Sequence, residues 1–290
     1  MTAMTIMRAG PLLTLQDPGR FGMLRHGISA SGPMDCSAFD SAGAVLERAG
    51  TAGLEFTTAG LAFTVDGPLR VGCAGGAFTL AVNGNPREWP ARLGLDAGDS
   101  VEVTPGASGN YGYLRFDREV AVAPVLGSRA TNLAVGLGGF KGRALRAGDR
   151  LDLAEIGGPT TPAAHIAPED GPIRVLWGLH ADQFNAEVRL IFARTAFTIS
   201  ANLDRMGVRL IDPEQAFRSQ RRLTLVSDAI VPGDIQILGD GTPTVLMRDH
   251  QPTGGYPRIA TIVSADLDRF AQLRPGTEVR FRPVTLEHAQ

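Results

Sequence analysis

Thr14-Leu15-Gln16-Asp17-Pro18-Gly19-Arg20-Phe21-Gly22 sets an amide, a carboxylate and a guanidinium around a Pro-Gly turn. Such a turn can present Gln16, Asp17 and Arg20 to a polar ligand, the arginine fork being matched to a carboxylate or phosphate. An Asp–Arg pair that merely fixes the turn is the plainer reading. Ser31-Gly32-Pro33-Met34-Asp35 adds a further carboxylate, which helix capping by Asp35 explains unaided. Gly127-Ser128-Arg129-Ala130-Thr131, with Gly138-Gly139 downstream, offers Arg129 and backbone amides to an anion. It lacks the glycine-lysine spacing of a P-loop, and loop structure alone accounts for it equally well.

The second half repeats the theme. Asn202-Leu203-Asp204-Arg205-Met206-Gly207-Val208-Arg209-Leu210 puts acid and base at a glycine-containing corner, as a buried pair or as a ligand clamp. Gln236, Asp240, Asp249 and Gln251-Pro252-Thr253-Gly254-Gly255-Tyr256-Pro257 gather polar groups around a glycine-rich loop. Its glycines permit close backbone approach, Thr253 and Tyr256 carry hydroxyls, and Asp249 can orient a donor or act as a base. A tight barrel turn explains the same glycines without chemistry.

Other chemistries lack support. The five histidines show no HxH or HExxH spacing, so no zinc or other metal site is expected. Cys36 and Cys73 are too few for a disulfide framework and have no CxxC spacing, which points to a reduced cytoplasm. There is no GxSxG nucleophile elbow. A net charge of −2 disfavours general nucleic-acid binding. No apolar run is long enough to span a bilayer and Met1–Gly10 is unlike a signal peptide, so a soluble, unprocessed, cytoplasmic protein is expected.

The elements that must position these residues read as mainly β. With 36 Gly and 19 Pro in 290 residues, long helices are interrupted everywhere. Leu95-Asp96-Ala97-Gly98-Asp99, Leu145-Arg146-Ala147-Gly148-Asp149 and Leu273-Arg274-Pro275-Gly276-Thr277 are each followed by alternating apolar residues, which predicts tight turns feeding half-buried strands. Further strands are expected at 61–65, 77–82, 111–116, 173–177, 196–199, 223–226, 235–238 and 244–247. Helices are expected only at 36–49, behind Asp35 as N-cap, at 181–193 and at 264–272. Barrels or sandwiches with a few short helices result. Gly157–Pro172, rich in Pro and Gly and without apolar period, predicts two modules, 1–160 and 161–290, with exchange of strands across the boundary left open.

Taken in order, these segments resemble the carboxyltransferase-domain family that includes allophanate hydrolase subunit 2, the C subunit of 5-oxoprolinase, the regulator KipA and the carboxyltransferase part of urea carboxylase. The resemblance runs from Thr14–Arg20 through Gly32-Pro33-Met34-Asp35, Leu54-Glu55, Gly127-Ser128-Arg129 and Gly148-Asp149. It continues through Asp204-Arg205-Met206-Gly207, Ile235-Gln236, Thr253–Pro257, Ala265-Asp266-Leu267 and Ala271-Gln272-Leu273, covering nearly the whole chain.

It implies two cyclophilin-like β-barrel modules and a partner resembling KipI or the B subunit of 5-oxoprolinase, with an A-subunit-like protein completing ring opening. The leading expectation is a component of an ATP-dependent 5-oxoprolinase, inactive alone, with ATP shared with partner subunits. Asp17, Arg20, Arg129, Asp204, Arg205 and Asp249 are its candidate catalytic residues. Gln16, Asp35, Gln236, Thr253, Gly254, Gly255 and Tyr256 are its candidate substrate contacts. Two alternatives stay open: a carboxyltransferase acting on urea or a related amide, using biotin on a separate carrier, and a KipA-like regulator that binds a KipI-like kinase inhibitor. The chain departs from the family pattern at Gly43, Gly50, Ala130, His250 and Pro252, which bears on the substrate rather than on the fold.

Overall fold

The computed structural model describes residues 2–156, 171–218 and 225–289. Among these residues strands dominate, and the α-helices are α1 (Cys36–Ala44), α2 (Ala186–Arg194) and α3 (Ser264–Ala271). The chain divides into two compact units, Met1–Phe21 with Ala30–Ile166, and Gly22–Ser29 with Ala167–Gln290. The boundary expected at Gly157–Pro172 falls almost wholly outside the described residues. That Gly22–Ser29 groups with the second unit had no counterpart in the sequence pattern.

In the first unit a seven-stranded sheet runs in the order 119–120, 150–154, 2–9, 61–65, 100–105, 78–82, 85–87. A five-stranded sheet runs 14–16, 53–57, 111–116, 69–75, 91–95. Period-2 alternation sends Leu61, Phe63, Val65, Val101, Val103, Leu151 and Leu153 into one core with Leu15, Leu54, Phe56, Val71 and Phe116. The strand Tyr111–Phe116 is buried at every position because α1 covers its other side. Gly72 permits that approach: a Cβ there would lie 1.9 Å from the Ala42 carbonyl oxygen.

α1 starts where expected, with the Asp35 carboxylate accepting from the Ala38 amide at 2.8 Å, but ends at Ala44 rather than Ala49. The chain must leave the helix to run along the neighbouring sheet, where the Gly50 amide donates to the Phe116 carbonyl. A Cβ at Gly50 would meet the Arg118 carbonyl oxygen at 2.2 Å, so glycine is required by packing.

The second unit is built on an eight-stranded sheet in the order 278–279, 197–203, 207–211, 243–246, 234–237, 258–262, 173–177, 281–283. Its two edge strands are separated in sequence by Arg280 alone, so the sheet curls into a nearly closed barrel. Phe192 of α2 contacts the rings of Phe197, Phe217 and Phe281 within this core. The helix expected at 181–193 is split. Residues Ala181–Gln183 form a 3-10 turn, and α2 begins afresh where the Asn185 side chain accepts from the Val188 amide. Of the strand expected at 223–226, Leu223 and Thr224 lie outside the described residues and the rest is irregular. Asp228–Ala229 instead pairs with Thr253–Gly254.

The three glycine turns form as read. Gly98, Gly148 and Gly276 have φ of 93°, 89° and 85°, and in each the residue after glycine donates back three residues, as in Asp99 to Asp96. No helix among the described residues is long and apolar enough to cross a membrane.

Candidate functional site

In the first unit, Asp17, Arg20 and Arg129 meet around one crossing of the chain. The Asp17 carboxylate accepts from the Gly19 amide at 3.0 Å, the Ser128 hydroxyl at 2.6 Å and the Arg129 amide at 2.5 Å. Arg20 is 1% exposed and donates to the carbonyls of Val125, Ser128 and Ala130. Gln16, also buried, donates to Thr131 O and accepts from the Gly32 amide. Arg129 is half-buried and reaches Val122 O and Thr51 Oγ1. These side chains stitch residues 14–20 to 128–131.

The anion cradle suggested by Gly127–Thr131 does not form. The amides of Ser128, Arg129, Ala130, Thr131 and Gly139 are bonded to Val125 O, Asp17, Ser128 Oγ, Leu15 O and Arg129 O respectively. They do not fit a triphosphate, because their donors point into the protein. Asp35 is the α1 cap and adjoins a buried network in which Tyr113 OH donates to Glu55 Oε2 at 2.9 Å and accepts from the Asp35 amide at 2.8 Å. Burial first, and then the Glu55 and Asp35 carboxylates, push the Tyr113 phenol well above its ordinary value, which keeps it a neutral donor.

In the second unit, a groove of about 550 Å³ opens on the outer face of the barrel sheet. Its floor follows from register. Arg209 pairs with Thr244 and Thr244 with Gln236, while the intervening Val208, Val245 and Ile235 are buried. Asp204 and Met206 of the hairpin turn line it, as do Leu246, Gln251 and Tyr256. Asp204 Oδ1 accepts from the Met206 and Gly207 amides, which explains Asp at the head of this turn. Gln236 is 1% exposed, and its Nε2 has no hydrogen-bond partner among the described residues. Gly254 makes room for this amide, since a Cβ there would sit 2.3 Å from Nε2.

Arg205 and Asp249 do not line the groove. Both are 2% exposed and form a bidentate pair at 2.8 and 3.0 Å beneath the turn. Of the other expected contacts, Thr253 is exposed in its short strand and the Gly255 carbonyl accepts from the Leu225 amide. His250, a departure from the family pattern, is buried with Nδ1 2.6 Å from Gln251 O. Burial lowers its pKa, partly offset by Gln251, Asp234 and Asp249. Asn202 and Arg209 lie in the corner that the sequence offers as a clamp without being singled out there, and Thr244 was expected only as part of a strand; all three line the groove. The available signal was alternation: Gly207/Arg209, Thr244/Leu246 and Gln236/Leu238 must share one face. Among the described residues no three His, Cys, Asp or Glu side chains are grouped to hold a metal ion.

Residues 26–283 match the family model described as carboxyltransferase domain, subdomain A and B. The chain is 35% identical over 289 residues to the 5-oxoprolinase C subunit of Escherichia coli, covering 98% of this chain and 92% of that one. It is 32% identical to the 5-oxoprolinase C subunit of Haemophilus influenzae, covering 95% and 89%. Among solved structures, the K. lactis urea amidolyase matches with a TM-score of 0.88 at 26% identity, over 99% of this chain and 19% of that one.

Proposed function

Because this chain belongs to the carboxyltransferase-domain family, subdomains A and B, we propose that it is the C-subunit-like component of an ATP-dependent 5-oxoprolinase. In this reading it is inactive alone and joins a B-subunit-like partner to activate the lactam, with an A-subunit-like protein completing ring opening to glutamate. The observation that carries the reading is near end-to-end similarity to two proteins named as the C component of 5-oxoprolinase. The urea amidolyase matches, by contrast, cover 17% of much longer chains.

The groove supplies what amide chemistry needs from a binding surface: a buried amide at Gln236, hydroxyls at Thr244 and Tyr256, and a carboxylate at Asp204 to orient a ligand N–H. The first-unit cluster of Asp17, Arg20 and Gln16 acts as a positioning frame. In this reading ATP is shared with the partner subunits, and the Ser128–Thr131 amides, bonded within the chain, are not among its contacts.

Reconstitution with the two partner subunits, followed by ATP-dependent glutamate formation from 5-oxo-L-proline, tests this. A correctly assembled complex without turnover refutes it. A second reading, a carboxyltransferase using biotin on a separate carrier, is favoured by the TM-score of 0.88 to the K. lactis urea carboxylase. Bicarbonate-dependent carboxylation of urea with a biotinylated carrier protein is its test.

A further inference from the structure

We infer that Arg209 recognises the carboxylate of the ligand in the second-unit groove, while Thr244 and Gln236, aligned with it across the sheet, receive the amide carbonyl. The identity of the ligand, a cyclic amide bearing a carboxylate, rests on the 5-oxoprolinase reading; the placement of the three groups rests on the sheet.

The register places these residues in one row. Arg209 faces Thr244 and Thr244 faces Gln236 on three successive antiparallel strands, so all three side chains leave the same face. Adjacent strands are about 4.8 Å apart, which puts the Arg209 and Gln236 backbones about 10 Å from each other with Thr244 midway. Two long side chains closing from the ends of that span suit a ligand of one small ring. In the lactam of an α-amino acid, the carbonyl carbon and the carboxylate-bearing carbon flank the ring nitrogen. Carbonyl and carboxylate thus project to opposite sides, toward Gln236 and Arg209, with the N–H between them.

The bonding state of the groups points the same way. Gln236 Nε2 and Thr244 Oγ1 are both buried and lack a partner among the described residues. Each carries a desolvation cost until an acceptor meets it. The terminal torsion of Gln236 is broad, so its amide can turn to meet a ligand at little cost. The arginines first considered as anion partners are otherwise engaged: Arg20 with carbonyls, Arg129 with Val122 O and Thr51, Arg205 with Asp249. Arg209 is exposed, lines the groove, and makes no hydrogen bond or ion pair among the described residues. The nearby Asp240 does not consume it. That carboxylate is held below its usual range chiefly by the Thr242 amide and hydroxyl, with Arg209 a minor influence. Asp204 Oδ1 is tied to its own turn, and its other oxygen is left for the ligand N–H.

The test titrates the full chain, alone and in the reconstituted complex, with 5-oxo-L-proline, with 2-pyrrolidone, which lacks the carboxylate, and with cyclopentanecarboxylate, which lacks the amide. Binding is followed by calorimetry and by the Arg209 Nε–H and Gln236 amide resonances, and turnover is recorded separately. The expected result is that 5-oxo-L-proline binds about tenfold or more tightly than either fragment. Arg209→Gln should reduce it to the level of 2-pyrrolidone and leave 2-pyrrolidone itself unchanged, with partial rescue by Arg209→Lys. Thr244→Val should weaken both amides and spare cyclopentanecarboxylate. Gly254→Ala, which presses on the Gln236 amide without touching Arg209, should do the same. Unchanged 5-oxo-L-proline binding in Arg209→Gln, an equal loss for 2-pyrrolidone, or no binding of any probe by the wild type in either form overturns the assignment. Discrimination by Arg209 in a complex that does not turn over 5-oxo-L-proline removes the 5-oxoprolinase reading and keeps the recognition site.

Discussion

Replacing Arg205 by alanine separates a structural role from a catalytic one. Arg205 and Asp249 are each 2% exposed, and their bidentate contact is reinforced by a 2.7 Å bond from the Asp249 amide to the Arg205 carbonyl. Removing the guanidinium leaves a buried carboxylate without its cation, a loss of about 3–5 kcal/mol. At roughly 2–4 °C per kcal/mol for a chain of this size, the midpoint should fall by about 10 °C. Urea unfolding followed by far-ultraviolet circular dichroism measures the free-energy loss, and a thermal scan the shift in midpoint. The companion variant, Arg205→Met with Asp249→Leu, removes both charges at similar volume and should recover most of the loss. A double-mutant cycle then isolates the coupling, expected to reach about 2–3 kcal/mol. Wild-type stability in Arg205→Ala, within about 1 kcal/mol, would refute the reasoning. Combined with abolished turnover, that outcome would return Arg205 to the chemistry.

Three further outcomes are expected. Asp266 is fully buried; burial raises its pKa, but hydrogen bonds from Arg174 and the charges of Arg174 and Arg269 outweigh this and hold it below the ordinary 3.8. Its contribution is present above that value and is lost as pH falls through the folded pKa, so Asp266→Asn should flatten the acid limb of a stability–pH curve below about pH 4; an unchanged slope refutes this. Burial of His250 lowers its pKa below 6.5, so the unfolded chain binds the proton first and stability declines as pH drops below about 6.5. His250→Gln should remove that decline, as read from urea midpoints between about pH 7 and 5. Gly72→Ala should destabilise the first unit by about 1–3 kcal/mol or more, because its Cβ meets helix backbone rather than a flexible side chain; a thermal midpoint equal to wild type contradicts the α1 packing.

Local chemistry was legible in the sequence wherever it is self-contained. The Gly98, Gly148 and Gly276 turns, the Asp35 cap and the alternation at 61–65 and 100–105 depend on neighbours in sequence, and they form as expected. Element ends were less legible. α1 stops at Ala44 because Gly50 must lie against the Arg118 carbonyl, a constraint set by a segment distant in sequence. The N-terminal strand Thr2–Ala9 went unread because its place between 61–65 and 150–154 is decided by partners far along the chain.

The candidate site divides along the same line. Residue types alone placed Gln16, Asp17 and Arg20 in one turn, and Asp204 with Arg205 in another. Which of them face a ligand is a matter of direction. Consecutive residues in an extended or turning chain point to opposite sides, so Asp204 reaches the groove while Arg205 passes beneath it to Asp249. Arg209, Gln236 and Thr244 sit on three strands well separated along the chain, and only antiparallel pairing makes them one row. Sequence by itself determined the family, the β class and the local turns, because these rest on composition, period and ordered motifs. Tertiary structure alone decided which arginines are spent on carbonyls and carboxylates and which one stands in an open groove, because burial and pairing are properties of neighbours in space.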